Sequence, residues 1–248
     1  MSALSRVTLL GVPLDPVTRE EALIRLLSFL EEPFPHHVAT PNSEMLVEAS
    51  RNPAFHSLLG KTALNLPDSA GLLLAARVTH QHLPQRVTGI DTVQALCASL
   101  ASDHPVFLLG ARPGVAPIAA AALMAKNPQL RIVGTFSGSP RSEDAQAIID
   151  HINAAAPHLL LIAFGAPAQD LWIADHLNDL PSVRVAMGVG GTFDFLAGER
   201  KRAPALLQKL GLEWLWRLVL EPRRWKRIWN AVVVFPLLVV RHRQNRSS

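Results

Sequence analysis

Short apolar runs alternate with longer helix-like stretches from the N-terminus to about residue 195. The runs lie at residues 6–10, 37–40, 63–66, 106–109, 131–135, 158–163 and 184–187. They are almost continuously apolar, which is typical of strands that are covered on both faces. Helical patterns follow most of the runs; one opens with a capping box from Thr18 to Glu21, and another begins at Ser142. This order predicts an α/β fold with a Rossmann-like, mostly parallel sheet and helices on both faces.

The character of the chain changes at residue 198. Between Gly198 and the C-terminus there are 12 lysines and arginines against three acids, together with four of the five tryptophans. The longest apolar run, residues 231–240, contains Pro236 and is half the length of about 20 residues that a membrane-spanning helix needs. Basic and aromatic residues together are typical of a segment at a membrane interface. We therefore predict a Rossmann-like catalytic domain, residues 1–197, and a basic, Trp-rich, helical appendage, residues 198–248, on a membrane surface.

Three arginines of this appendage have helical spacing. Arg217, Arg224 and Arg227 would share one face of a helix, although Pro222 permits this only with a kink or as the first turn of a second helix. Tryptophans among arginines also occur in nucleic-acid-binding proteins, but here they flank an aliphatic run rather than an exposed sheet. The segment therefore predicts membrane contact and no nucleic acid. Because the first apolar patch is too short for a signal peptide, we expect a cytoplasmic protein at the inner face of the cell membrane.

Five loops with unusual chemistry are expected near the ends of predicted strands. They are residues 40–42, 67–71, 110–114, 164–170 and 188–194. In parallel sheets, ligands bind where strands end and helices begin, because helix N-termini present free N–H groups and a positive dipole end. The shared location of these loops predicts a single site.

Glycines are the first feature of these loops. Gly110, Gly165, Gly190 and Gly191 could each serve only a tight turn, but several such loops at one sheet edge favour a nucleotide or phosphate ligand. Neither G-x-G-x-x-G nor the phosphate-loop pattern G-x-x-x-x-G-K-[ST] occurs here, since Phe193 stands where a third glycine would be needed. The missing dinucleotide pattern disfavours a Rossmann-type oxidoreductase.

Acidic residues are the second feature. Asp68 follows a predicted strand and a proline, and it is either a helix cap or a carboxylate that takes a proton from an acceptor hydroxyl. The residues alone do not separate these two explanations. Asp91 and Asp170 lie at predicted helix starts, where capping explains them, whereas Asp194 is the alternative base.

No metal cofactor is expected. The chain has no Asp-x-Asp pair and no H-E-x-x-H pattern, and its single cysteine, Cys97, excludes a cysteine-based zinc site. If a diphosphate leaves during the reaction, arginines and helix dipoles must then neutralise its charge. That requirement indicates Arg86 and the basic appendage.

Read together, these residues resemble the WecG/TagA/CpsF family of bacterial glycosyltransferases over nearly the whole chain. The segments that carry the resemblance are residues 40–42, the Asp68 loop, and residues 86–91, 164–169, 188–194, 202–204, 211–214 and 221–223. Each segment is weak alone, but so many in the right order make the resemblance specific. The chain departs from the family pattern at Ser69, where glycine is usual, and at Asp170, where glutamate is common.

The resemblance implies an inverting, metal-independent hexosyltransferase. It implies a UDP-sugar donor, often UDP-N-acetylmannosamine or its uronic acid, and an acceptor sugar on polyprenyl diphosphate, in cell-surface polysaccharide synthesis. It assigns Asp68 as the base, with Thr40, Asn42 and Arg86 beside it. The remaining candidate substrate-binding residues are Gln169, Gly110, Gly165, Gly190, Gly191, Asp194, Arg217, Arg224 and Arg227. The appendage is expected to dock on the membrane and to help complete the site.

A rival interpretation is a non-catalytic, nucleotide-binding scaffold protein at the membrane, built on the same fold. Release of UDP in the presence of a lipid-linked acceptor separates it from the transferase. The sequence leaves the oligomeric state open, and a homo-oligomer is compatible with it.

Overall fold

The fold is built on a six-stranded sheet in which every neighbouring pair of strands is parallel. The computed structural model describes residues 5–204, 206–207 and 210–247. The strands are β1 (Val7–Leu9), β2 (Val12–Leu14), β3 (His36–Ala39), β4 (Leu64–Asn65), β5 (Val106–Gly110), β6 (Ile132–Phe136), β7 (Leu159–Ala163) and β8 (Val185–Gly188). The sheet has the order β4–β3–β8–β7–β5–β6. The predicted α/β fold is therefore confirmed.

Helices connect the strands and cover the sheet. They are α1 (Arg19–Glu31), α2 (Ser43–Ala49), α3 (Pro53–Lys61), α4 (Ala70–Val78), α5 (Gly89–Ser99), α6 (Val115–Lys126), α7 (Ser142–Ala155), α8 (Ala168–His176), α9 (Thr192–Leu196), α10 (Glu213–Leu220), α11 (Trp225–Trp229) and α12 (Phe235–Ser247). Two 3₁₀ turns, Leu177–Asp179 and Pro222–Arg224, and a π turn, Asn230–Val234, complete the elements. The capping box predicted at Thr18 and Glu21 is present, and α7 begins at Ser142 as predicted.

The first predicted strand lies outside the main sheet. Val7–Leu9 pairs antiparallel with Val12–Leu14 in a separate hairpin, with Leu9 opposite Val12. The two intervening residues, Leu10 and Gly11, have φ angles of 51° and 83°. Two-residue hairpin turns favour this left-handed backbone because it matches the twist of the strands. A turn at Gly11 therefore splits the apolar segment and sends the chain back on itself.

Apolar side chains form a core on both faces of the sheet. One cluster joins the sheet to α1, α5 and α6, and includes Leu108, Leu161 and Phe193. Another cluster lies under α7 and α8, with Ile148 and Trp172. Because both faces are covered, the central strands β5, β7 and β8 are apolar along their whole length, as the sequence pattern predicts.

The appendage packs against the rest of the protein. Phe235 and Val239 of α12 are 1% and 5% exposed, and they belong to the same apolar cluster as the β1–β2 hairpin, α2 and α3. Ion pairs add to this contact, among them Arg202 with Asp91 at 2.6 Å. The division into domains at residue 197 stays a prediction, but the two parts share a core.

The three spaced arginines do not lie on one helix. Arg217 is in α10, Arg224 ends the 3₁₀ turn that Pro222 begins, and Arg227 is in α11. Proline lacks the backbone N–H that a continuous helix requires, so it starts a new turn here. Within the part of the chain that the structure describes, no helix is long and apolar enough to cross a membrane.

Candidate active site

The carboxyl ends of four neighbouring strands surround a cavity of about 150 Å³. From β3 the chain continues to β4 at one edge of the sheet, whereas β8, the other neighbour of β3, follows β7 on the opposite side. The strand order therefore reverses between β3 and β8. Ligands bind at such switch points in α/β folds. The cavity is lined by Thr40, Asn42, Glu44, Met45, Glu48, Phe55, Asp68, Gly165, Ala166, Pro167, Gln169, Val189, Gly190, Arg227 and Asn230.

Asp68 is held between two loops at the inner end of this cavity. Its N–H donates to the carbonyl of Pro41 at 2.8 Å, and its Oδ2 accepts from the N–H of Gly89 at 3.1 Å. Ser69, rather than Asp68, caps α4 by accepting from the N–H of Leu72. Capping of α4 therefore does not explain Asp68, which instead meets the first residue of α5. Its other oxygen, Oδ1, has no hydrogen-bond partner among the residues that the structure describes.

Burial raises the pKa of Asp68 to about 7. The residue keeps partial exposure because it borders the cavity, while protein surrounds the rest of its carboxyl group. The Gly89 hydrogen bond and the positive charges of Arg86 and Arg217 lower the pKa, whereas the negative charge of Glu213 raises it further. A carboxylate that titrates near neutrality suits general-base catalysis, because it accepts a proton readily and is still ionised in part.

Arg86 lies beside the cavity rather than on its wall. Its Nη2 donates to Oε2 of Glu213 at 2.8 Å, and Nη2 of Arg217 donates to the other oxygen of Glu213 at 3.4 Å. Glu213 and Arg217 belong to α10, so one carboxylate joins an arginine of the body to an arginine of the appendage. The guanidinium of Arg217 also lies 5.4 Å from the centre of the Phe195 ring.

Thr40 and Asn42 line the cavity as the resemblance implies. Each also has a hydrogen bond that stabilises the fold. Oγ1 of Thr40 donates to the carbonyl of Gly188 at 3.2 Å. Oδ1 of Asn42 accepts from the N–H of Met45 at 3.0 Å and so caps α2. A Cβ placed on Gly89 would lie 3.6 Å from Oγ1 of Thr40 and 3.8 Å from Oδ2 of Asp68. Thr40 and Asp68 therefore border the same glycine, and a methyl group there would make ordinary van der Waals contact with both.

Gln169 links two of the glycine loops. Its Oε1 accepts from the N–H groups of Gly165 at 3.1 Å and Gly190 at 3.0 Å. Those two amides are thus already bonded within the protein, and Gln169 fixes the loop after β7 to the loop after β8. A Cβ placed on Gly188 would lie 2.5 Å from Nε2 of Gln169, so this position requires glycine. Substrate binding by Gln169 stays a prediction.

Asp91 does not cap α5, contrary to the expectation. Thr88 is the cap, and the Asp91 carboxylate instead accepts two bonds from Arg202 at 2.6 and 2.9 Å. Burial acts to raise the pKa of Asp91, but the bonds from Arg202 and Thr88 outweigh it and hold the pKa below its usual range. Asp91 therefore fixes the beginning of the appendage to the body.

Asp170 does not cap α8 either. The cap position is Pro167, and the Asp170 side chain is fully buried with its Oδ1 3.5 Å from Nε2 of His37. The alternative base, Asp194, lies off the cavity, where Nε of Arg200 contacts its Oδ2 at 3.3 Å. Of the four acids, Asp68 alone lines the cavity.

The other candidate residues divide between the cavity and its surroundings. Arg227 lines the cavity, as do Gly165 and Gly190, whereas Gly110, Gly191, Arg217 and Arg224 do not. Gly110 has a φ of 98°, and a Cβ there would lie 2.9 Å from the carbonyl carbon of Ala163, so it serves the turn after β5. Arg224 contacts Glu221 at 2.6 Å, and burial lowers its pKa.

Three polar residues of the cavity were missed by the sequence analysis: Glu44, Glu48 and Asn230. Glu44 and Glu48 are four residues apart in the helix that Asn42 caps, so helical periodicity could have placed both on one face of that helix. Asn230 comes from the appendage, far away in sequence, and no local pattern marks it. Glu213 was also missed.

Among residues 5–204, 206–207 and 210–247, no three histidine, cysteine, aspartate or glutamate side chains lie close enough together to hold a metal ion. Activity without a metal remains a prediction.

Comparison with known proteins identifies the family of this chain. The family model described as "Glycosyl transferase WecG/TagA/CpsF family" matches residues 7–248. The chain belongs to this family. Membership makes the protein a glycosyltransferase and agrees with the resemblance drawn from the loop residues.

Individual relatives within the family carry a specific name. The chain is 30% identical to the N-acetylglucosaminyldiphosphoundecaprenol N-acetyl-β-D-mannosaminyltransferase of Staphylococcus aureus (strain MRSA252), over 90% of this chain and 87% of the relative. It is 29% identical to the enzyme of the same name from Bacillus subtilis (strain 168), over 85% and 81% of the two chains. Identity to the enzyme of the same name from Bacillus spizizenii is 30%, over 77% and 74%.

Proposed function

We propose that this glycosyltransferase moves a sugar from a UDP-sugar to a saccharide carried on polyprenyl diphosphate, with Asp68 as the general base. The observation that carries the proposal is the Asp68 carboxylate. It borders the cavity at the ligand edge of the sheet, and its pKa of about 7 matches the task of a base. The names of the relatives, which specify a mannosaminyl group and a diphosphoundecaprenol acceptor, support this class of substrates.

The proposed reaction is a single displacement with inversion at the anomeric carbon. The acceptor hydroxyl gives its proton to Asp68 while its oxygen forms a bond to the anomeric carbon. The bond from that carbon to the β-phosphate oxygen breaks at the same time, and UDP leaves with the electron pair. General-base assistance of this kind typically contributes about 10²–10⁴-fold to the rate.

Negative charge that develops on UDP needs positive charge nearby. We assign this role to Arg86, supported by Arg217, since guanidinium groups bind phosphate through paired hydrogen bonds and stabilise charge that grows in the transition state. Both arginines share the Glu213 carboxylate and both act on the pKa of Asp68. They are therefore close to the base and are held in place before substrate binds.

The appendage provides a surface suited to a membrane. Trp225 and Trp229 are 56% and 55% exposed, and Val219 and Leu237 are 68% and 58% exposed, among 12 basic residues in this part of the sequence. Exposed aromatic and aliphatic side chains with basic neighbours favour the interface of an anionic bilayer. We propose peripheral association of residues 198–248 with the membrane that carries the acceptor.

A donor screen tests the proposed function. Purified protein is mixed with a panel of UDP-sugars and a short-chain prenyl-diphosphate N-acetylglucosamine, and the assay measures UDP release together with the mass of the product. One donor is expected to release UDP and to add one sugar to the acceptor. UDP binding without any transfer, for every donor tried, would instead support the scaffold alternative.

A further inference from the structure

We propose that the outer wall of the cavity, formed by Glu44, Glu48 and Asn230, is the subsite that binds the acceptor sugar. This inference rests on the proposed function and identifies the part of the site that binds the acceptor. The ligand is the sugar of the diphosphate-linked acceptor, recognised through its hydroxyl and acetamido groups.

The two walls of the cavity come from different parts of the protein. Thr40, Asp68 and Gly190 line the inner wall at the sheet edge, whereas α2 and the appendage provide the outer wall. Glu44 and Glu48 are one helical turn apart on α2 and therefore project from the same face. A sugar bound between the walls would have its hydroxyl beside the base and its remaining polar groups beside α2.

Two side chains of the outer wall are free to bind a ligand. The Glu48 carboxylate and the Asn230 amide make no hydrogen bond or ion pair within the described part of the chain, although both line the cavity. Glu44 differs, because one of its oxygens accepts from Nε of Arg227 at 2.5 Å. A free carboxylate accepts bonds from hydroxyl groups, and an amide both donates and accepts, which together suit the alternating groups of a pyranose.

The backbone at Asn230 supports the same conclusion. Asn230 begins a π turn, Asn230–Val234, which packs on α2 and is followed directly by the buried Phe235. Single π turns inside helices are rare and occur frequently at functional sites. Here the wider turn lets the chain place Asn230 at the cavity while Phe235, five residues later, enters the core.

The positions of the base and of the arginines distinguish the acceptor from the donor. Arg227 lines the cavity, but its Nε is paired with Glu44. The arginines assigned to UDP, Arg86 and Arg217, do not line this wall. A base must also lie within hydrogen-bond reach of the acceptor hydroxyl, which places the acceptor in the cavity that Asp68 borders.

The direction of approach fits a lipid-linked acceptor. The outer wall is continuous with the appendage through Arg227 and Asn230, and the neighbouring Trp225 and Trp229 are exposed. A sugar that arrives from a membrane beneath the appendage meets this wall first.

The test compares steady-state kinetics of Glu48→Gln and Asn230→Ala with those of the wild type, using the donor found active and a short-chain prenyl-diphosphate N-acetylglucosamine. We expect the KM for the acceptor to rise about tenfold to a hundredfold in Glu48→Gln, because a bond to a charged group is lost. The KM for the donor, the Kd for UDP measured by calorimetry and the kcat at saturating acceptor should stay within about twofold, since binding is lost equally from ground and transition states.

Glu199→Gln is the matched control, because Glu199 pairs with Arg112 at 3.0 Å and does not line the cavity. It should leave every constant unchanged. Acceptor analogues with single hydroxyls replaced by hydrogen sharpen the test: the analogue that lacks the hydroxyl bound by Glu48 should bind wild type and Glu48→Gln equally.

Three results would overturn the inference. A rise in the donor KM with an unchanged acceptor KM would place the donor sugar at this wall. Unchanged constants in both variants would place the acceptor elsewhere. A wild-type protein that binds UDP and transfers no sugar to any acceptor would contradict the proposed function itself. The first two results, by contrast, would contradict only the acceptor subsite and leave the proposed function standing.

Discussion

The two halves of the candidate site are held in different ways. In the body, Thr40, Asn42, Asp68 and Gln169 are fixed by hydrogen bonds with backbone groups. In the appendage, Arg217 and Arg227 are fixed mainly by ion pairs of half-exposed side chains, with Glu213 and Glu44. Backbone bonds in a buried sheet edge are rigid, whereas exposed ion pairs are weak and sensitive to salt. The body therefore sets the chemistry, and the appendage is the adjustable part.

The largest effect is expected from the body. Asp68→Asn should lower kcat by about 10²–10⁴-fold while leaving UDP binding nearly unchanged, because the amide cannot take the proton. Asp194→Asn is the matched control at an acid off the cavity. A near-normal rate for Asp68→Asn with an inactive Asp194→Asn would pass the role of base to Asp194.

The second prediction tests whether the appendage belongs to the core. Phe235→Ala should lower the free energy of unfolding by about 3–5 kcal/mol, because the side chain is 1% exposed and its removal leaves a cavity. Trp229→Ala, at a 55% exposed position in the appendage, should change it by less than about 1 kcal/mol. Urea titrations followed by circular dichroism give both values. Equal, small losses would mean that the appendage folds apart from the body.

The third prediction concerns the carboxylate that joins the two halves. Glu213→Gln should lower kcat/KM roughly tenfold, because Arg86 and Arg217 lose their shared partner and coupled neighbours typically contribute 0.5–3 kcal/mol. Removing this negative charge should also lower the pKa of Asp68, so the acidic limb of the pH–rate profile should move to lower pH. A lower rate with an unmoved limb would make Glu213 structural only.

The fourth prediction uses the pH dependence of stability. Burial raises the pKa of Asp68 from 3.8 to about 7, so the native state binds a proton more tightly than the unfolded chain. The stability contributed by the protonated group is complete below pH 3.8 and is lost as the pH rises through about 7. Asp68→Asn should therefore raise Tm more at pH 8 than at pH 5, in scans of both proteins. An equal shift at both pH values would contradict the burial of this charge.

The smallest effect is expected from chelation. Excess EDTA should leave the rate unchanged, because arginines of both halves are proposed to neutralise the leaving diphosphate. Loss of activity that Mn²⁺ or Mg²⁺ restores would show that a cation performs this task.

The sequence predicted the body better than the appendage, for a physical reason. Strands such as Leu159–Ala163 and the cap at Thr18 depend on local periodicity and short-range bonds, which a sequence displays directly. Thr40 and Asp68 follow from the same logic, since the ends of parallel strands meet at one edge. The turn at Gly11 was missed because one glycine inside an apolar segment is a weak signal.

Contacts between distant segments could not be predicted. The pair of Arg86 with Glu213 and the arrival of Asn230 at the cavity join residues more than a hundred positions apart. The three arginines lie in separate turns because Pro222 starts a new one, which is one of the two alternatives that the sequence left open. Capping by Asp91 failed because Arg202 competes for its carboxylate. At Asp91 a tertiary contact outweighed a local preference.

The cluster that joins the β1–β2 hairpin to Phe235 and Val239 has a consequence for synthesis. A ribosome makes the hairpin first and these two residues more than two hundred positions later. Until they emerge, the apolar side chains of the hairpin lack part of their cover and are open to chaperones or to other nascent chains. The protein can therefore complete this apolar cluster only after translation of the α12 segment. A stalled or prematurely terminated chain should be a preferred target for proteolysis.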